Sequence, residues 1–408
     1  MKAHAVIGMN YGDEGKGAVT NFLSDENTLN IRFNGGAQAA HTVVLNDGTE
    51  HVFHHFGSGS LKGARTLLGS HFIVNPLVFM KEFESLCKIR KGWREVLIDP
   101  TCRVTTPYDM LVNEFDAKFH KKHDTCGLGV YETIERSVYR QLCITARDMA
   151  QKTEAQLLGI LRVIENEYLP YRIEKMGLPV DEFKAFATPF LTANAFDERF
   201  IECAKIILKN SAVFAEDQVV ERFLSKGSNR KLVFEGAQGM ILDKNRKESL
   251  PFITPSSTGA KNVVELLGKV RTPIELESIL VTRAYLSRHG DGPLRNSVDK
   301  PYRLATDPSN PENGFQGKIR YGFLDLDWYR KAIAETVAET AKIKGASVVV
   351  AMTCLDQLDE FDSANPIESM VRFTEGLDWK KGRIKDHFSK IHILGTSRKE
   401  AGLKRILP

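Results

Sequence analysis

The chain has 408 residues, 42% of them hydrophobic and 26% charged, with a formal net charge of +4. That composition supports a large buried core and excludes a disordered chain; the small charge and the lack of an arginine-rich stripe exclude nucleic acid as the expected partner and suit small anionic ligands. Cys87, Cys102, Cys126, Cys143, Cys203 and Cys354 form no C-x-x-C pair, so neither a disulfide framework nor a zinc ribbon is indicated and a reducing cytoplasm is the expected compartment. The apolar run at the N-terminus is too short for a signal peptide and no stretch approaches a membrane span, so no membrane partner is expected.

In chain order, "HAVIG" (His4 to Gly8) predicts a buried first strand and "GAVTNFLS" (Gly17 to Ser24) the helix that follows a glycine-rich loop. "NIRF", ending at Phe33, reads as a second strand, and Thr42 to His54 as a hairpin turned by Asn46, Asp47 and Gly48. From about Glu154 to Ser225 apolar residues recur three and four apart, which predicts a mostly helical section around 151–225. Strands are expected again at "KLVFEG" (Lys231 to Gly236), "ESILVTRAY" (Glu277 to Tyr285), "ASVVVAMT" (Ala346 to Thr353) and "IHIL" (Ile391 to Leu394), with the helix "DWYRKAIAETVAETAKIK" before the third. Apolar strands interleaved with helices predict one large α/β domain over residues 1–408, built on a mainly parallel central sheet flanked by helices.

The loop "GMNYGDEGKGA" (Gly8 to Ala18) holds the strongest chemical signal. A Walker loop, G-x-x-x-x-G-K-[ST], wraps phosphates in backbone N–H groups and holds magnesium with its hydroxyl. Here six residues separate Gly8 from the Gly15-Lys16 pair, and Gly17 stands where the hydroxyl belongs. Gly12, Gly15 and Gly17 still permit close approach of an anion, and Lys16 can neutralise phosphate charge. Asp13 can replace the missing magnesium ligand and can also take a proton from an acceptor. The plainer reading makes Asp13 and Glu14 helix-N-terminal acids that complement the dipole.

Further segments carry a resemblance. The loop together with "RFNGGAQAAHTVV" (Arg32 to Val44) resembles the adenylosuccinate synthetase family, with its G-D-E-G-K-G and G-G-x-N-A-G-H-T. "FHHFGSGSL" from Phe53, "FEGAQGMILD" from Phe234, "PFITPSSTGA" from Pro251, "SRHGDGP" from Ser287, "RYGFLD" from Arg320 and "MTCLDQLD" from Met352 are similar to later family motifs, in the same order. The resemblance implies a P-loop-related α/β fold, a homodimer, and a ligase that uses Mg2+. Its implied partners are a purine monophosphate, a nucleoside triphosphate and L-aspartate.

It also implies residue roles. Asp13, His41 and Lys16 are the catalytic set, with Asp13 and the carbonyl of Ala40 holding the metal. Gly12, Glu14, Gly15, Lys16, Gly17, Ala40, His41, Thr42, Arg320, Asp356 and Gly395 take the triphosphate. Asp13, Asn34, Gln38, Thr125, Gln238 and Thr254 contact the purine monophosphate, as does Arg136, reaching across the dimer. Gly314, Phe315, Gln316, Gly317, Lys318 and Arg320 form the aspartate loop.

Departures from the family pattern are informative. "TCGLGVYET" (Thr125 to Thr133) lacks the usual arginine, and in "FQGKIRYG" (Phe315 to Gly322) only Lys318 and Arg320 are cationic. Lysine cannot reproduce the arginine fork, so carboxylate or ribose contacts must differ. Cys354 replaces a guanine-reading lysine, and a thiol is a weak donor, which favours ATP or dATP over GTP. These substitutions resemble the bacteriophage branch, which joins aspartate to dGMP for 2-aminoadenine DNA and would act in host cytoplasm. Some members of that branch lack the loop aspartate, so the retention of Asp13 keeps IMP as the alternative acceptor, with GTP as donor. A non-catalytic nucleotide-binding regulator is the reading from another class. A dehydrogenase is disfavoured because the loop is not G-x-G-x-x-G.

Overall fold

The computed structural model describes residues 1–90, 92–93, 95–120, 125–191, 195–303, 305, 317–362, 364–365, 367–370, 373, 391–397 and 399–405. Among these, ten strands build the central sheet: β1 (Lys2–Gly8), β2 (Thr28–Arg32), β3 (Arg65–Leu68), β4 (Val96–Ile98), β5 (Ser211–Val213), β6 (Lys231–Gly239), β7 (Glu275–Arg283), β8 (Ser347–Thr353), β9 (Ile391–Gly395) and β10 (Leu403–Arg405). Their spatial order is β10-β9-β8-β7-β1-β6-β2-β3-β4-β5. All neighbours pair in parallel except β9 with β10. The near-continuous apolar runs of β1, β6, β7 and β8 follow from burial on both faces, with Ala5, Val6, Ile7, Val233, Phe234, Ile279, Leu280 and Val350 fully enclosed.

The first strand, the glycine loop, helix α1 (Lys16–Leu23) and the hairpin His41–Val44/Glu50–Phe53 lie where the sequence pattern places them. The helical section differs in one respect. It is interrupted by β5, a three-residue strand that closes one edge of the sheet, a piece too short to break a helical periodicity.

Parallel pairing brings the C-terminal ends of the strands to one side of the sheet. The loops after β1, β2, β6, β7, β8 and β9 therefore meet there, the place where open α/β sheets take ligands. Away from it, a second core of Phe72, Phe79, Tyr108, Phe115, Leu161 and Phe200 packs the helical section against the β3–β5 edge.

Two buried ion pairs brace that section. Helix α2 (Pro107–His120) supplies Asp109 and α3 (Val130–Ser137) supplies Arg136. Arg136 donates from Nε and Nη2 to both Asp109 oxygens at 2.8 Å, and from its remaining donors to the carbonyls of Leu142 and Val104. A second fork joins Arg172 of α4 (Leu169–Lys175) to Glu132 at 2.7 and 2.9 Å. This corrects the expectation that Arg136 reaches a nucleotide across a dimer: its side chain is 0% exposed and its donors are engaged within its own chain.

Arg136→Ala should therefore reduce stability by about 3–5 kcal/mol, because Asp109 is left charged and buried without its partner. Urea denaturation measures this, and Arg136→Lys should restore little, since an ammonium lacks the fork.

Candidate active site

The loop after β1 is held by Glu14. Its carboxylate accepts from the N–H groups of Asn10 and Gly12 at 2.9 Å each and pairs with Lys16 Nζ at 2.8 Å, with the side chains of Glu14 and Lys16 both only 2% exposed. Glu14 thus differs from its expected part as a triphosphate contact: the carboxylate faces into the loop and shapes it. Gly12, Asp13 and Gly15 take positive φ of 100°, 61° and 91°. For Asp13 that conformation is strained, the kind of strain that gathers at functional sites. The Asp13 carbonyl accepts from Arg283 Nε at 2.6 Å, and its carboxylate is 35% exposed. Gly15, at the N-terminus of α1, has no side-chain cap, so the first helical N–H groups face an approaching anion.

Gly17 explains the missing hydroxyl. A Cβ at this position would come within 2.8 Å of His41 Cβ and 3.1 Å of Ser58 Oγ. His41, at the head of the hairpin, occupies that space instead. Its Nδ1 lies 2.5 Å from Glu235 Oε1 on β6, and the Glu235 carboxylate also accepts from the Ser58 N–H and hydroxyl. A carboxylate only accepts, so Nδ1 carries the shared proton and Nε2 donates only when the ring is cationic. Burial is the main influence on His41 and outweighs the bond to Glu235, so its pKa is pushed down to about 4. Burial raises the Glu235 pKa, but the Arg32 charge and the His41 bond win and hold it at about 2.

Around this centre the expected purine contacts fall into two groups. Gln38 is partly buried, and neither its Nε2 nor its Oε1, both enclosed, has a hydrogen-bond partner among the described residues. Gln238 sits at φ 63°, with Oε1 3.7 Å from where a Gly12 Cβ would stand, so it borders the loop. Thr254 is buried beyond β6. Thr125 donates to Asn113 at 2.9 Å. For its neighbour Cys126, burial, helped by the Asp13 charge, pushes the thiol up to about 11. Asn34 is a correction. Fully buried, it bonds through its amide to the Ala237 N–H and to the carbonyls of Ala237 and Ser257, clamping two loops rather than facing a ligand.

At the far side, Thr42 is half-buried in the hairpin and Ala40 is exposed beside it. Gly395 packs within 3.1 Å of Thr353 Cα, measured from an added Cβ. Asp356 follows β8, its pKa raised by burial, and Cys354 turns the chain at φ 58°. Arg320 donates through Nη2 to the carbonyls of Gly290 and Gly292, while Gly317 and the exposed Lys318 precede it. Gly314, Phe315 and Gln316 lie outside the described residues.

Glu235, Arg283 and His289 join the site without having been expected there. A charged residue inside the apolar run "KLVFEG" was the available signal for Glu235. For a cation, no cluster of three or more His, Cys, Asp or Glu side chains exists among the described residues. The Asp13 carboxylate and the exposed backbone at Ala40 offer hard oxygens of the kind that suits magnesium shared with substrate phosphates.

Residues 5–375 match the family model described as adenylosuccinate synthetase. An adenylosuccinate synthetase of Thermoplasma acidophilum is 30% identical over 336 residues, covering 81% of this chain and 72% of the relative. One from Borrelia duttonii is 28% identical over 345 residues, covering 82% and 74%. Among solved structures, the fully ligated adenylosuccinate synthetase of Plasmodium falciparum aligns with a TM-score of 0.70 at 16% identity, over 100% of both chains. The cyanophage S-2L succinoaminodeoxyadenylate synthetase (PurZ), bound to dGMP and to dATP as an energy donor, aligns with a TM-score of 0.60 at 13% identity, over 100% and 96%. At such identities the structural likeness speaks for the fold.

Glu235→Ala should destabilise the protein by about 3–5 kcal/mol, since the buried Arg32 loses its nearby countercharge. The pH dependence has a definite sign. Between the ordinary histidine value of 6.5 and about 4 the unfolded chain protonates at His41 while the folded chain does not. Glu235 adds a second loss as pH falls from 4.5 towards about 2. Thermal midpoints should therefore drop on acidification below pH 6.5, with a shallower drop from the His41 site in His41→Ala.

Proposed function

The chain belongs to the adenylosuccinate synthetase family of C–N bond-forming ligases, and on that premise we propose that it joins L-aspartate to C6 of a 6-oxopurine nucleotide, with dGMP as acceptor and ATP or dATP as donor. The observation that carries this reading is Asp13: a carboxylate fixed at positive φ inside a glycine-rich loop whose Gly17 packs against His41 and whose Gly12 borders Gln238.

A lactam oxygen is a poor leaving group and must be activated before an amine can replace it. Asp13 removes the N1 proton, the resulting O6 attacks the γ-phosphate, and the P–O bond to the nucleoside diphosphate breaks. The aspartate amine then attacks C6 and inorganic phosphate departs with O6, giving the N6-succino product. The loop N–H groups stabilise charge on the transferring phosphoryl, joined by His41, held in place by Glu235, once the charge of the bound phosphates has drawn a second proton onto its ring so that Nε2 can donate. Magnesium, held by Asp13 and the Ala40 carbonyl, supplies additional neutralisation of phosphate charge when bound. The Lys16 charge is shared with Glu14, so it acts mainly by holding the loop. Lys318 and Arg320 border the aspartate side, and the family supports a homodimer.

The dGMP assignment is supported by the T-C-G-x-G-V-x-E-T, Q-G and T-C-L-D segments and is compatible with the fold shared with the cyanophage enzyme. IMP with GTP is the second reading, favoured by the retained Asp13 and by relatives that are adenylosuccinate synthetases.

The test is aspartate-dependent phosphate release with ATP or GTP, offering dGMP, GMP and IMP in turn and weighing the products. Turnover of dGMP with ATP or dATP is the expected result; turnover of IMP with GTP alone would establish the second reading, and binding without turnover the regulator. Asp13→Asn should lower kcat by roughly 10²–10⁴-fold, the range of a lost general base.

A further inference from the structure

His289 takes no part in the reading so far, yet it sits against the centre of the site. It follows the short strand Tyr285–Arg288 in "SRHGDGP". Its side chain is 10% exposed, and neither ring nitrogen has a hydrogen-bond partner among the described residues. Nε2 lies 3.9 Å from Asp13 Oδ2. That is too long for a direct hydrogen bond, but one ligand N–H₂ group between the two atoms could donate to both. The loop that carries His289 is tied down: Arg320 Nη2 donates to the carbonyls of Gly290 and Gly292, Arg288 Nη1 donates to Pro293 O at 2.7 Å, and the Arg288 guanidinium stacks 4.9 Å over Tyr11. A buried, immobilised imidazole with both nitrogens unpaired is costly unless a ligand completes it.

Sheet order indicates which ligand atom does so. Asp13 follows β1; the His41–Glu235 pair hangs from β6 on one side of β1, and His289 follows β7 on the other. With Asp13 at N1 of the purine and O6 turned towards His41 and the donor phosphate, the C2 edge points to the His289 side. A 2-amino group on that edge is a donor, and an imidazole offers one acceptor nitrogen to meet it. Hypoxanthine has only C–H there.

We propose that His289 is a specificity-determining residue that accepts a hydrogen bond from the 2-amino group of the acceptor nucleotide. The assignment rests on the ligase reading above and narrows its substrate to a 2-amino-6-oxopurine.

The test compares kcat/KM of the full-length enzyme for dGMP and 2′-deoxyinosine monophosphate, which differ only in the 2-amino group. His289→Val should lower the dGMP-to-dIMP ratio by about tenfold, the scale of one hydrogen bond left unmade in a buried site. His289→Gln, whose side-chain oxygen can accept, should recover part of it. His289→Leu should match the valine variant and carries the test if that variant does not fold. An unchanged ratio, or an equal loss for both nucleotides, overturns the proposal. So does a wild-type enzyme that uses dIMP as well as dGMP or better, an outcome that leaves the ligase reading standing. Wild-type turnover of neither nucleotide, nor of IMP, would instead overturn the ligase reading.

Discussion

The site depends on one buried carboxylate that is turned into its own loop. Glu14 gathers the N–H groups of Asn10 and Gly12 and the ammonium of Lys16, and so closes the loop on itself. In that closed form Gly12 and Asp13 both adopt positive φ, the Asp13 carboxylate stays partly exposed, and the start of α1 carries no side-chain cap and is open to an anion. Two acids in one phosphate loop are therefore not redundant. One builds the loop and the other is presented on it.

Around this knot the parallel sheet gathers residues far apart in the chain. His41 arrives on the hairpin, its anchor Glu235 on β6, Arg283 at the end of β7, and Cys354 and Asp356 beyond β8. The His41–Glu235 pair and the Glu14–Lys16 pair are both nearly solvent-free, and each is completed by backbone or hydroxyl donors, the condition under which buried charge is tolerated. Preorganised polar groups of this kind need not rearrange as charge moves during a reaction.

Much of this was legible in the sequence because it is written locally. Glycine spacing marked the loop, unbroken apolar runs marked β1, β6, β7 and β8, and the Asn46-Asp47-Gly48 turn marked the hairpin. The short strands β3, β4 and β5, of three or four residues, at one side of the sheet, carry too little pattern to be seen. Partners were harder than elements. An arginine on a short helix looks the same whether solvent or a buried aspartate awaits it, and Arg136 meets Asp109 only once α2 and α3 pack together. Asn34 likewise gave no sign that its amide would be taken up by Ala237 and Ser257. His289 had no assigned part until the fold set it near Asp13.

The tight contact at Gly17 also bears on how such a loop can evolve. With His41 Cβ only 2.8 Å from any added β-carbon, the single replacement that would recreate an ordinary nucleotide-hydrolase signature, serine or threonine after the lysine, meets an obstacle already in place. Because that obstacle is a β-carbon, which every residue but glycine carries, with the His41 carbonyl carbon 3.3 Å away behind it, exchanging the imidazole alone makes no room and the hairpin itself must shift. A side chain after the lysine is thereby coupled to the position of a hairpin more than twenty residues further along the chain.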